Sequence, residues 1–152
     1  MKYYLISFAL FGFSSFASAN ETLITLFECT TNKQQHLSLI ASKGPTLNFR
    51  RQGEVEYQQD VDKAYLHQYA NGTQLMVPHK GKWYLFEETE ATTGVTHVEL
   101  VVRNAKTGRV LEYQECESDA ISLIPQLSTN DVKPIPDDLA EWLFEVSNKY
   151  VP

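Results

Sequence analysis

The sequence predicts a mainly β fold: an antiparallel meander that forms a barrel or sandwich of seven or eight strands, with one C-terminal amphipathic helix. Three observations lead to this prediction. Apolar and polar residues alternate with a period of two in short runs, as in half-buried strands. Turn signals separate these runs about every ten residues, which favours antiparallel hairpins over βαβ units. Apolar residues recur at helical spacing only near the C-terminus.

The first nineteen residues, MKYYLISFALFGFSSFASA, have the pattern of a secretory signal. Lys2 provides a positive start, an uncharged apolar run follows, and Ala17-Ser18-Ala19 provides the small residues that signal peptidase requires. The apolar run is shorter than the roughly 20 residues of a membrane-spanning helix. We therefore expect residues 1–19 to be a cleaved signal peptide. The mature protein should be periplasmic or secreted, with no membrane association after cleavage.

Residues 20–127 form the predicted β-domain. Within it, Asn71-Gly72 stands between two alternating runs and is the strongest short-range hairpin signal of the chain. The run 95–103 also alternates, so Val98, Leu100 and Val102 are expected to face the core. About 133 residues remain after signal cleavage, which is the size of one domain with a single core.

The tail of the chain has a different pattern. Residues 128–136 are polar and rich in proline and read as a linker, and residues 137–152 read as a helix packed on the β-domain. Pro136-Asp137-Asp138 is a favourable helix start, because proline fits the first turn and acids complement the positive end of the helix dipole. One apolar stripe follows at helical spacing: Leu139, Trp142, Leu143, Val146 and Tyr150.

The chain has two cysteines, Cys29 and Cys116. Neither has a second cysteine or a histidine at the spacing of a zinc site, and a C-x-x-C redox motif is absent. Exported proteins meet an oxidising compartment in which paired thiols form disulfides. The sequence therefore predicts a structural Cys29–Cys116 disulfide rather than a catalytic pair.

The charge of the chain restricts its partners. Without Lys2, 12 Lys and Arg stand against 19 Asp and Glu, a net charge of −7. A chain of this charge has no general attraction to phosphate backbones or anionic lipids, so nucleic acid and membrane surfaces are excluded as predicted partners. A protein partner is favoured, and a cationic one suits the acidic charge.

Two groups of residues are candidate ligand sites. Tyr65, His67 and Tyr69 share one face of a predicted strand and, with Trp83, could form an aromatic surface for sugar or peptide. His97 and Glu99 also share a strand face, and Glu112 on the next strand could complete a metal site or the centre of a small metal-dependent hydrolase. The alternative for His97 and Glu99 is a solvated polar face.

The acidic run Glu87-Glu88-Thr89-Glu90 could attract calcium, but it lacks the alternating carboxylates of a calcium loop. It is interpreted as a solvated strand end. No nucleophile motif such as G-x-S-x-G stands near a histidine, and no glycine-rich phosphate loop follows a strand. The sequence therefore predicts no enzyme activity and no cofactor.

The segments FECTT, WYLFEE, GVTHVELVV and TGRVLEYQEC resemble a group of small exported gamma-proteobacterial proteins of unknown function. In that group a Cys-Thr-Thr strand precedes a hairpin meander that ends in a late cysteine. The outline of an exported β-domain with an early and a late cysteine is also similar to the bacterial inhibitors of C-type lysozyme. This chain has KGKWY at 80–84 and KTG at 106–108, but not the inhibitors' signature order, so the similarity assigns no site residue here.

These observations together predict a non-catalytic, secreted or periplasmic binding protein, with a protein as its partner. A lysozyme-inhibitor-like protein is the first alternative. A small metal-binding protein or hydrolase that uses His97 and Glu99 is the second.

Overall fold

The computed structural model describes residues 22–117 and 119–152, so the predicted signal peptide lies outside the described residues. The fold class is confirmed: the protein is mainly β, with two antiparallel sheets of five strands each and one C-terminal helix. Among the described residues no helix is long and apolar enough to span a membrane. The elements are β1 (Leu23–Thr30), β2 (His36–Ser42), β3 (Thr46–Arg51), β4 (Glu54–Asp60), β5 (Tyr65–Tyr69), β6 (Gly72–His79), β7 (Lys82–Glu90), β8 (Thr96–Asn104), β9 (Val110–Glu115), β10 (Ile121–Ser122) and α1 (Asp137–Lys149).

Each sheet is a meander in chain order. The first sheet has the order β10-β1-β2-β3-β4, and the second has the order β5-β6-β7-β8-β9. The chain crosses from the first sheet to the second once, through a short 3₁₀ helix at Val61–Lys63. It returns after β9, when the two-residue strand β10 pairs with β1. Of the two predicted architectures, the sheets therefore form a sandwich.

The core lies between the two sheets. Phe27 and Phe49 from the first sheet meet Phe86 from the second edge to face, with ring centroids 5.2 and 5.3 Å apart. Aromatic pairs of this geometry add roughly 0.5–1.5 kcal/mol each to the free energy of burial. Val98, Leu100 and Val102 are buried in the same core, as their alternation predicts.

The disulfide joins the two sheets. Cys29 lies in β1, Cys116 follows β9, and the structure confirms the bond between them, with the Cα atoms 5.6 Å apart. The backbones also pair at this point, because the amide of Asn32 donates to the Glu115 carbonyl at 3.0 Å and the amide of Glu117 donates to the Thr30 carbonyl at 2.8 Å. The bond therefore closes one side of the sandwich.

The β5–β6 hairpin has a different register from the one predicted. Its two turn residues are Ala70 and Asn71, and Gly72 is already paired with Tyr69 inside the hairpin. A side chain at Gly72 would lie 2.7 Å from the Tyr69 hydroxyl and 2.8 Å from the Glu88 carbonyl. Glycine is needed here for this close approach, and it lets the Tyr69 side chain fold over the sheet.

Helix α1 packs on the outer face of the second sheet. Leu143 and Val146 of the helix are buried against Met76, Leu85 and Val101. The segment before the helix also contacts this sheet, since the amide of Leu66 donates to the Lys133 carbonyl at 2.9 Å and the amide of Ile135 donates to the Leu66 carbonyl at 3.0 Å. Burial of the apolar stripe of the helix requires this sheet face to be apolar where the helix lies.

Candidate functional site

The outer face of the second sheet is organised in rows that run across its strands. Directly paired residues of neighbouring strands lie side by side on the same face. A first line of such paired residues, one from each strand, lies beneath α1, and we call it the apolar row. A second line lies two residues away from the first on each strand, and we call it the polar row. The apolar row is Tyr65, Met76, Leu85, Val101 and Tyr113, and the polar row is His67, Gln74, Glu87, Glu99 and Glu115.

A pocket of about 460 Å³ lies where α1 ends its cover of the sheet. Four members of the polar row form its floor together with Tyr69 and Arg103, and the helix forms its wall through Leu143, Phe144 and Ser147. The floor is polar along this row, but Leu85 and Val101 of the apolar row also line the pocket. The size is in the range of sites that bind small ligands.

Glu87 lies at the centre of the polar row. The Tyr69 hydroxyl donates to its Oε1, and Gln74 Nε2 donates to its Oε2 at 2.9 Å. Burial raises the pKa of Glu87 to about 7, the neighbouring charge of Glu99 raises it as well, and Arg103 lowers it. A carboxyl with this pKa exchanges its proton near neutral pH.

Glu99 is the cross-strand neighbour of Glu87 and accepts a hydrogen bond from the Tyr113 hydroxyl at 2.8 Å. Burial also raises the pKa of Glu99, the Tyr113 hydrogen bond lowers it, and the charge of Glu115 raises it. Two carboxyls held side by side in a half-buried site disfavour the state in which both are ionised. A positive charge beside the pair would favour ionisation of both carboxyls.

Arg103 is the buried cation of this region, and its donors bind the loop between β8 and β9 and the C-terminal end of α1. It is 3% exposed, and its Nη1 donates to the carbonyls of Gly108 and Tyr150, both at 3.1 Å. Its Nη2 donates to the Ser147 hydroxyl at 3.4 Å. Arg103 thus binds carbonyls at the C-terminal end of the helix, where a positive charge complements the helix dipole.

Several polar atoms of the floor are buried and have no hydrogen-bond partner within residues 22–117 and 119–152: Gln74 Oε1, His67 Nδ1 and Arg103 Nε. Gln74 is only 6% exposed. Buried polar groups are nearly always paired in folded proteins, so a cluster of exceptions beside a pocket needs an explanation. A bound ligand that supplies the missing partners is one such explanation.

The structure divides the predicted aromatic surface into two parts. Tyr65, His67, Tyr69 and Trp83 all lie on the outer face of the second sheet, but Tyr65 and Trp83 pack beneath the C-terminal segment, with ring centroids 6.1 Å apart. His67 and Tyr69 line the pocket instead. Half of this set therefore supports α1, and half contributes to the floor.

The structure does not bring the predicted metal ligands together. His97 and Glu99 share a face, but Glu112 pairs with the core residue Val102 and lies on the opposite face of the sheet, where it accepts hydrogen bonds from Arg51 at 2.8 and 3.1 Å. The carboxylate beside His97 is that of Glu115, at 3.5 Å. The described residues hold no group of three or more His, Cys, Asp and Glu side chains placed to bind a metal ion.

Glu87, Gln74, Arg103 and Phe144 are pocket residues that the sequence did not point to. Glu87 was expected at a solvated strand end, yet it lies beneath the pocket. The turn Lys80-Gly81 contains the missing signal. Both residues have positive φ, so the turn has two residues, and this register places Gln74 opposite Glu87. No protein-family model, curated protein or solved structure matches this chain.

Proposed function

We propose that the protein is an exported, non-catalytic binding protein, and that a side chain of a partner protein inserts into the pocket between α1 and the second sheet. The observation that carries the proposal is the pocket floor, where buried polar atoms lack partners among the described residues. Such atoms cost free energy unless a ligand pairs them. A binding partner removes that cost.

The compartment supports this proposal. A disulfide persists in oxidising surroundings such as the periplasm or the extracellular space. The mature net charge of −7 favours a partner that carries positive charge. Both features suit a protein that meets its partner outside the cytoplasm.

The rim of the pocket favours a protein as the ligand. Phe144 lines the pocket and projects from α1 with 71% of its surface exposed. Exposed aromatic residues beside a pocket are typical anchors of protein interfaces, where a partner covers them and excludes water. A polar small molecule confined to the floor would leave this apolar rim in water.

A crosslinking experiment at the rim tests the proposal. A photoreactive phenylalanine analogue replaces Phe144, and the protein is irradiated in an envelope extract of the cells that produce it. The analogue fits because Phe144 is largely exposed. We expect a crosslinked protein that mass spectrometry identifies and that the purified partner reproduces.

The matched control places the same analogue at Val55, which is 54% exposed on β4 of the other sheet. Crosslinking from position 144 but not from position 55 supports the proposal. Identical products from both positions, or no protein product from position 144, would contradict it.

A further inference from the structure

Three acceptor groups meet on the pocket floor. The carboxylates of Glu87 and Glu99 are cross-strand neighbours, and Gln74 pairs with Glu87 on its other side. Each carboxylate can accept about four hydrogen bonds, and the two together accept three from protein donors. Capacity for a further donor therefore remains at both carboxylates.

Gln74 gives an independent indication of a donor-rich ligand. Its Nε2 donates to Glu87, which leaves Oε1 as an acceptor without a partner in the described part of the chain. The side chain is only 6% exposed, and it lines the pocket. A ligand that enters the pocket and brings a donor would satisfy this acceptor after a small rotation of the amide.

The balance of charge on the floor is negative. Glu115 continues the row beyond Glu99, so three carboxyls occupy consecutive strands. Arg103 is the buried cation beside them, and it is held by carbonyls of the α1 end. A ligand that adds one positive charge would relieve the repulsion within the row.

We propose that the pocket recognises a primary ammonium group, supplied by a lysine side chain of the partner protein, between Glu87 and Glu99. This inference rests on the proposed function. An ammonium has three donors, which match Glu87, Glu99 and Gln74 Oε1 one to one. The four-carbon stem of lysine is apolar and lies against Leu143 and Phe144 of the wall.

Binding of the ammonium releases a proton. The ligand charge favours the ionised state of both carboxyls, and burial has raised the pKa of Glu87 to about 7. Ionisation of Glu87 then accompanies binding at pH 6, so affinity should be about tenfold weaker at pH 6 than at pH 8.

α1 contributes Ser147 and no charged side chain to the described lining. The other titratable or charged groups on this face are Tyr65, His67 and Tyr69 on β5, His97, Glu99 and Arg103 on β8, and Tyr113 and Glu115 on β9.

Calorimetry with short capped peptides tests the proposal on the full mature chain. The probes carry one central residue, which is lysine, norleucine, trimethyllysine or arginine, and n-butylammonium serves as the free amine. We expect the lysine peptide to bind at least tenfold more tightly than the other three peptides and than butylammonium. Titrations at pH 6 in two buffers of different ionisation enthalpy should show release of close to one proton.

Two variants assign the effect to the floor. Glu87→Gln and Glu99→Gln keep the shape of the side chains, and each should weaken lysine binding at least tenfold. Glu87→Gln should also abolish the proton release. If the role of Glu87 were only structural, the proton release would be unchanged in this variant. Glu54→Gln, an exposed change on β4, is the matched control and should bind as the unchanged protein does. Circular dichroism confirms that each variant is folded.

The outcomes separate this inference from the proposed function. Equal binding of the lysine and norleucine peptides overturns the ammonium inference but leaves a pocket that binds partner side chains. Equal binding of trimethyllysine overturns the three-donor geometry. If butylammonium binds as tightly as the peptide, the ammonium site stands and the protein partner does not. If no probe binds, the ammonium inference is overturned, and crosslinking from position 144 still decides the proposed function.

Discussion

Glu87 has surroundings that differ from those of a surface carboxylate. Two donors hold its oxygens, and its side chain is half-buried on the floor of the pocket. Burial and the neighbouring charge of Glu99 raise the pKa of Glu87 to about 7, and the charge of Arg103 lowers it. Both raising effects favour the protonated, neutral form of this carboxyl.

This environment predicts a pH-dependent stability. The ordinary pKa of a glutamate carboxyl is 4.5, and the pKa of Glu87 in the folded chain is about 7. Between those two pH values the folded state therefore binds more protons than the unfolded state. The free energy of unfolding must then fall as the pH rises through this window. Glu87→Gln removes the titration, and we expect it to be more stable than the unchanged protein at pH 8 by on the order of 1–3 kcal/mol, with little difference at pH 4.

Thermal unfolding of both proteins from pH 4 to pH 8 measures this effect. Glu54→Gln is exposed and should leave the pH profile unchanged. Parallel profiles for Glu87→Gln and the unchanged protein would show that Glu87 titrates normally in the folded state.

The sequence could predict on which face of this sheet each side chain lies. It could not predict which of these side chains the helix covers. Alternation predicted that Glu99 and its neighbour Leu100 lie on opposite faces of the sheet, and the structure confirms this. Whether Glu99 meets water or a helix depends on where α1 docks. The stripe from Leu139 to Tyr150 predicts only that the helix packs, because any apolar patch of sufficient size would satisfy it.

At the scale of elements, α1 is held on the sheet by a close contact with the β8–β9 loop. Gly108 has a φ of +74° and lies against the side chain of Val146. Its carbonyl accepts from Arg103, whose guanidinium also binds the Tyr150 carbonyl. One glycine and one arginine thus join the helix end to the loop, and this contact positions the wall of the pocket.

We predict that Gly108→Ala loosens this attachment. The new methyl group would overlap Val146 and force α1 away from the sheet, so we expect a loss of roughly 2–4 kcal/mol from overpacking and backbone strain together. Gly53→Ala is the matched control, since Gly53 has a similar φ of +82° but no neighbouring atom within 4 Å. Strain alone should then cost about 1–2 kcal/mol.

Urea unfolding gives the two free energies, and hydrogen exchange shows whether the amides of α1 lose protection in Gly108→Ala only. Equal losses in the two variants would mean that the Val146 contact does not hold the helix. The sequence could not indicate this contact, because Gly108 reads as an ordinary turn glycine until the helix is placed over it.

At the scale of the whole molecule, the two meanders are connected in sequence by one short crossing and in space by the core and the disulfide. The cysteines are 87 residues apart, and the bond joins β1 of one sheet to the end of β9 in the other. The residue types and the predicted compartment were enough to predict the pairing. They did not reveal that it links two sheets, because a single continuous barrel would satisfy the same spacing.

Removal of this bond should weaken the sandwich strongly but preserve its fold. In the chain-entropy model a loop of this length restricts the unfolded state by about 4–5 kcal/mol, so Cys29→Ala with Cys116→Ala should lower the free energy of unfolding by up to that amount. The aromatic core between the sheets remains, so circular dichroism at 10 °C should still report a β-sheet spectrum.

Urea unfolding measures the loss of free energy in the double variant. The unchanged protein, with and without reductant, is measured beside it. The reduced protein should match the double variant, and a difference of less than 1 kcal/mol between oxidised and reduced protein would mean that the two sheets do not depend on the bond.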